Sequence, residues 1–333
     1  MFDIITIGSA TRDGFFQGIN FISLKDKRFK TGQGIGLPLG AKMPVKKVTF
    51  TTGGGGVNTA VTFSRQGFKT ALISRVADDV SGREVILGQR KEGVYTGFIQ
   101  IDKKIRTAYS VIFLLPSGER TILSYRGCSD NLTEKEIPWS KIKTKWFFIG
   151  PLGGNEKLLK TVINYCRKNK VKIGSTPGQK ELQFLKKNTS WLNFYDVFIL
   201  NQEEASELTD LPYQKEKEIF KKLDQWVKGI VVMTKGPLGA VVSDGKNIYQ
   251  AGIYPQKKIV DRTGAGDAFS SGFISALMKN PKDMETAIRL GSANATQVVE
   301  HIGAVEGILT KYDFQNPRWK NLKMKHFKIK KAF

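Results

Sequence analysis

Val260-Asp261-Arg262-Thr263-Gly264-Ala265-Gly266-Asp267-Ala268-Phe269 is a loop with two glycines that runs into a long apolar stripe. Ala268, Phe269, Gly272, Phe273, Ala276 and Leu277 recur at the spacing of one helix face. A helix opening on such a loop aims unpaired N–H groups and the positive end of its dipole at one spot, which suits an anion such as a phosphate. Gly264 and Gly266 let the backbone approach closely, and the same dipole favours an ionised Asp267 in the first turn. A carboxylate beside an anion-binding loop would repel a phosphate that is merely stored. It suits phosphoryl transfer to an alcohol, with Asp267 taking the hydroxyl proton while the amides of Gly264, Ala265 and Gly266 hold the transferring group. A capped helix after an ordinary turn would use the same residues, so the rest of the chain has to decide.

Outward from this segment, six apolar runs rich in β-branched and aromatic residues predict buried parallel strands: Ile4–Gly8, Ala71–Val76, Trp146–Gly150, Val171–Ser175, Val197–Leu200 and Ile230–Thr234. Segments of helical period lie between them, one over Gly56–Gln66 ending at Gly67, one from Gly264 and one from about Asp283. The alternation predicts a doubly wound α/β sheet. Residues 13–45 break the rhythm with Gly- and Lys-rich alternating pieces, and Thr107–Leu115 with Arg120–Tyr125 reads as a hairpin across Pro116-Ser117-Gly118-Glu119. We therefore expect a main α/β domain from 1–12, 46–106 and 126–315, a small antiparallel β lid from 13–45 and 107–125, and a basic C-terminal tail over 316–333.

The composition fits this plan. The 333 residues are 40% hydrophobic and 25% charged, without the run of ~20 apolar residues that a membrane helix needs. The N-terminus lacks the basic flank of a signal peptide, and Cys128 and Cys166 form neither a C-x-x-C pair nor a metal-ligand spacing, so a reducing cytoplasm is the expected setting. The net charge of +23 attracts nucleotides, sugar phosphates or nucleic acid alike. Arg318–Phe333 holds seven basic residues and no acidic one, which makes it the place where nucleic acid would bind.

Asp-x-Thr-Gly-Ala-Gly-Asp-Ala-Phe at 261–269 resembles the C-terminal signature of the ribokinase-like carbohydrate kinases, the phosphofructokinase-B family, and no Walker A run G-x-x-x-x-G-K-[ST] occurs. Further resemblances follow in the family's order. Gly53-Gly54-Gly55-Gly56-Val57-Asn58 resembles its Gly-Gly-x-Gly-x-Asn motif, which implies sugar contacts from Gly54, Gly55 and Asn58. Asp13 stands where the family has its sugar-hydroxyl Asp, although Thr11 and Arg12 depart from the Asn-x-Asp of ribose kinases. Asn201-Gln202-Glu203-Glu204 matches Asn-x-x-Glu, which implies that Asn201 and Glu204 position Mg²⁺ through water; the same residues also make a sound helix cap. Thr234-Lys235-Gly236-Pro237-Leu238-Gly239 resembles the Thr-x-Gly-x-x-Gly nucleotide loop, with Thr234, Gly236 and Gly239 as ATP contacts. Asn294 falls where the family often has an adenine-proximal Asn, in a stretch whose small residues equally suit helix packing.

The resemblance implies an ATP-dependent kinase with a β lid whose closure excludes water, Mg²⁺ as cofactor, and K⁺ as an optional activator near Asp261 and Gly303-Ala304. It is compatible with a homodimer joined through the lids. A sugar is the leading acceptor, a nucleoside the second and a sugar phosphate the third, the nucleoside favoured if Phe15, Phe16 and Phe21 line the pocket and stack on a base. Arg120 and Arg126, around the hairpin, are candidate phosphate contacts. A separate reading, a non-catalytic nucleic-acid-binding protein on this fold, rests on the charge and the tail.

Overall fold

The computed structural model describes residues 1–29 and 32–328. The six apolar runs form the parallel part of a nine-stranded sheet, as Ile230–Thr234, Val197–Asn201, Lys172–Ser175, Thr144–Ile149, Phe2–Ile7 and Thr70–Ile73 in spatial order. Alternate residues of these strands enter two different cores. Ile5, Ile7, Phe147 and Ile149 pack under the helices Glu156–Asn169, Gln179–Lys187, Gln202–Thr209 and Glu216–Trp226. Ile4, Phe148 and Ile199 pack under Gly55–Arg65, Ala265–Lys279 and Met284–Val299. Burial on both faces is what makes these strands read as continuous apolar runs. The last two helices touch closely because both carry glycines at the contact: a Cβ on Gly291 would lie 2.9 Å from the Phe269 carbonyl oxygen, and one on Gly272 3.1 Å from that of Leu290.

A separate four-stranded sheet, ordered Arg120–Tyr125, Ala108–Leu114, Thr11–Gln17 and Lys47–Gly53, forms the expected lid, and a two-stranded ribbon, Ile22–Lys25 with Gln33–Gly36, accompanies it. Three features differ from the expectation. The lid sheet takes in Lys47–Gly53, within the expected main domain, and its central pair, Thr11–Gln17 with Ala108–Leu114, is parallel. Phe15 is fully buried with Ile112 and Leu114 as lid core, while Phe16 and Phe21 gather around Phe113.

Third, residues 316–328 are not a tail. Met324–Lys328 pairs antiparallel with Asn247–Ala251 and completes the main sheet, which also gains the unforeseen strands Ala240–Ser243 and Asn247–Ala251. Trp319 is 2% exposed, its carbonyl accepts a 2.6 Å hydrogen bond from the Tyr254 hydroxyl, and Arg318 donates to Glu300 at 2.9 Å. Arg318 is spent on internal partners, while Lys325, His326 and Lys328 stay exposed along the edge strand. The tail's last residues, 329–333, lie outside the described residues. Among the described residues no helix is long and apolar enough to cross a membrane.

Candidate active site

Ala265–Lys279 opens on Gly264, whose φ of +78° is left-handed. A Cβ there would lie 2.3 Å from that of Ala304, so only glycine lets the loop seat against the segment after the last helix. Asp261 ties the loop down. It is fully buried, accepts from the Thr263 amide at 2.9 Å and hydroxyl at 2.7 Å, and takes the Gly303 amide at 3.0 Å on its second oxygen. The amides of Gly266 and Asp267 open the helix, where no preceding turn accepts from them. A Cβ on Gly266 would meet no atom within 4 Å, so this backbone faces open space.

Asp267, in the first turn, is half-buried, and its carboxylate accepts a 2.8 Å hydrogen bond from Asn58 Nδ2. Burial pushes its carboxyl above the ordinary range, and the bond from Asn58 opposes that shift. The helix dipole alone had suggested a readily ionised group; the surrounding protein outweighs it. Asn58 is 4% exposed and its Oδ1 has no partner among the described residues.

The glycine run links Asp267 to the lid. Gly54 caps Gly55–Arg65 at φ +97°, where a Cβ would strike the Ser9 carbonyl oxygen at 2.5 Å. A Cβ on Gly53 would lie 2.2 Å from Asp13 Oδ2, and one on Gly55 3.6 Å from Asp267 Oδ1 and 3.3 Å from Pro151 Cδ. Gly53 through Asn58 therefore runs from one carboxylate to the other. Asp13 is 5% exposed and accepts from Thr11 Oγ1 at 3.0 Å; burial raises its pKa, hydroxyls of Ser110 and Thr11 oppose this, and the charge of Asp261 adds to it. Thr51, opposite Asp13 in the lid sheet, has a buried hydroxyl without a partner among the described residues.

On the other side of the opening loop lies a cleft of about 460 Å³ lined by, among others, Thr234, Gly236, Gly239, Ala265, Gly266 and Arg120. The expected nucleotide loop and the Gly264–Gly266 loop thus share one cavity, at the carboxyl ends of the strands. The lid hairpin reaches its rim: Glu119 pairs with Arg262 at 3.1 Å, Arg120 Nε lies 3.8 Å from Asp261 Oδ1, and Gly118 packs on Ile259. The Arg120 Nε is buried and has no hydrogen-bond partner among the described residues. Arg126 pairs instead with Asp130.

Asn201 pairs in register with Thr234 at the same sheet edge. With Glu204 it forms a reciprocal cap, Asn201 Oδ1 accepting the Glu204 amide and Glu204 Oε2 the Asn201 amide, each at 2.8 Å. The Asn201 amide oxygen is spent in this cap, and the cap engages one oxygen of Glu204. Burial raises the Glu204 pKa.

Asn294 is where the structure and the expectation part. It is fully buried, donates to Ala268 O at 2.8 Å and Thr62 Oγ1 at 3.3 Å, and accepts from the Leu309 amide at 2.9 Å. These bonds knit three segments together and turn the side chain away from the cleft; Ser292, Ala295 and Thr296 of the same helix line it instead. Cys128 is fully buried, which pushes its thiol up to about 11 and removes it from the chemistry. Sequence reasoning missed Pro151; its one signal was Pro-Leu-Gly-Gly directly after an apolar strand.

Comparison with known proteins agrees with the fold. A family model described as pfkB family carbohydrate kinase matches residues 28–311. A ribokinase of Haemophilus influenzae is 30% identical over 271 residues, 78% of this chain and 85% of its own. The structure of Arabidopsis thaliana ribokinase complexed with ribose and ATP superposes with a TM-score of 0.74 at 21% identity, covering 96% of this chain and 99% of that one. A Burkholderia thailandensis nucleoside kinase in complex with inosine gives 0.74 at 18% identity, covering 93% and 95%.

Proposed function

The chain belongs to the pfkB family of carbohydrate kinases, phosphotransferases that act on hydroxyl groups, and from that premise we propose that it transfers the γ-phosphoryl group of ATP to a hydroxyl of a sugar. The observation that carries the reading is the Asn58–Asp267 hydrogen bond, which joins the two motifs across 209 residues of chain. It brings the Asp267 carboxylate, at the start of the helix behind Gly264, against the helix that follows the glycine run, which supports the reading.

In this reading the acceptor lies along Gly54 and Gly55, with hydroxyls reaching Asp13 and the free oxygen of Asn58. Asp267 accepts the proton of the reacting hydroxyl, and its raised pKa makes it a better base than an exposed carboxylate. The amides of the Gly264–Gly266 nest hold the negative charge that develops on the transferring group. Thr234, Gly236 and Gly239 wall the nucleotide, and Arg120, brought by the lid hairpin, donates to a phosphate oxygen.

The oxygen donors at the edge suit Mg²⁺, which binds through one or two carboxylates with waters and substrate phosphates completing its shell. Glu204, with one oxygen outside the cap, would hold it through water, and Asn201 serves by fixing Glu204. Bound magnesium supplies charge neutralisation at the phosphates. K⁺ stays an optional activator near Asp261 and Gly303-Ala304, where both Asp261 carboxylate oxygens accept protein donors and backbone oxygens would be its ligands.

A sugar is favoured over a nucleoside because Phe15, Phe16 and Phe21 pack within the lid and do not offer a stacking wall. The exposed outer-face residues Val48, Phe50, Leu123 and Tyr125 support pairing of lids between two copies. The test is ADP release from ATP against pentoses, hexoses, their phosphates and nucleosides, with and without potassium. Release with a sugar, lost in Asp267→Asn, is the expected result, and a blank across all of them would sink the reading.

A further inference from the structure

Resting on the kinase reading, we infer that Glu181 is a positioning residue that sets the wall of the acceptor side of the cleft. Glu181 lies in the first turn of Gln179–Lys187 and is buried. Its Oε2 accepts the Gly178 amide at 3.1 Å, which is an ordinary first-turn cap. Capping does not explain its other oxygen. Oε1 reaches back to a different strand end and accepts the Leu152 amide at 3.2 Å and the Gly154 amide at 2.6 Å. One buried carboxylate thus gathers three amides, and such charge-assisted bonds are about twice as strong as neutral ones.

The loop it holds depends on two glycine conformations. Gly153 and Gly154 are both left-handed, at φ +71° and +87°. Within this loop Pro151 is wedged between two glycines: its Cδ lies 3.3 Å from where a Cβ on Gly55 would be, and its Cβ 2.9 Å from where one on Gly178 would be. The same position on Gly55 is 3.6 Å from Asp267 Oδ1. A continuous line of contact therefore runs from the Glu181 carboxylate through Pro151 to the backbone that faces the proposed base. The nucleotide loop 234–239 is not on that line, so the effect should fall on the acceptor and spare ATP.

Glu181→Gln and Glu181→Ala test this by two readouts on the full chain. Hydrogen exchange followed by mass spectrometry should show faster exchange at 152–154 in both variants, spreading to 54–58 and sparing 234–239. In kinetics with ATP and D-ribose, D-fructose or inosine, Glu181→Ala should raise the acceptor KM and lower the acceptor kcat/KM by about tenfold to a hundredfold, the scale of rate loss for ~1 Å of misplacement, with a smaller effect in Glu181→Gln and the ATP KM unchanged. Should Glu181→Ala fail to fold, the isosteric Glu181→Gln carries both measurements. Unchanged exchange at 54–58, or equal shifts in both KM values, would overturn the inference. If the wild type uses none of the three acceptors while exchange still spreads to 54–58, the choice of acceptor is wrong and the role of Glu181 in holding the wall stands.

Discussion

Alanine in place of Gly55 separates stability from turnover. Gly55 is the first residue of its helix and its φ is not positive, so alanine is free of backbone strain there. Gly to Ala at a compatible position stabilises by ~0.4–1 kcal/mol through the unfolded state. Against this stands one close contact, at 3.3 Å to Pro151 Cδ, which costs a few tenths of an ångström of adjustment. The balance is within about 1 kcal/mol, a Tm shift below about 4 °C. The chemistry is affected differently. A hydroxyl giving its proton to Asp267 must come within ~2.7 Å of a carboxylate oxygen. The new methyl would sit 3.6 Å from Oδ1 of that carboxylate and occupy part of the same approach. Displacing the acceptor by ~1 Å costs about a hundredfold in rate. Thermal melts and ADP-coupled kinetics on the same preparation decide it: a near-native Tm with a loss of about a hundredfold in acceptor kcat/KM is expected. Full activity would mean that the acceptor does not approach across Gly55.

Asp267→Asn should lower kcat by about 10²–10⁴-fold, the usual contribution of a general base, with little change in ATP affinity by calorimetry. The same variant should melt higher than wild type at pH 7. A carboxyl whose pKa is raised on folding binds its proton more tightly in the native state, so stability is lost as pH climbs from the unfolded value through the folded one, and Asn removes that loss. The difference should vanish near pH 3, below both pKa values. In the wild type, the acid limb of kcat/KM against pH should lie above the ordinary carboxylate range. Arg120→Ala should raise the ATP KM and lower the ligand-free Tm, since it removes the cation 3.8 Å from the fully buried Asp261. Gly264→Ala places a left-handed alanine against Ala304 and should destabilise by more than ~1–2 kcal/mol in urea titrations.

The parallel strands and the helix that opens on Gly264 could be read from residues because their causes are local: apolar runs buried on both faces, and a glycine loop before a periodic helix. Met324–Lys328 could not. Its exposed edge position leaves room for Lys325, His326 and Lys328, so the composition is that of a solvated tail and only pairing with Asn247–Ala251 makes it a strand. Asn294 carried a plausible motif position, and its orientation was decided by Thr62, Ala268 and Leu309, distant in the chain. Glu181 left no sign at all, because its partners lie 27 and 29 residues away in a loop whose shape depends on glycine conformations.

Among the described residues, the main sheet is finished by the strand furthest along the chain, which bears on synthesis. Until residues 324–328 have left the ribosome, Asn247–Ala251 presents a row of unsatisfied backbone groups on a nearly complete sheet. Nascent or prematurely terminated chains would then be the sticky species, open to edge-to-edge association, and lysine-rich Met324–Lys328 would act as an intramolecular stopper that both closes and charges the border.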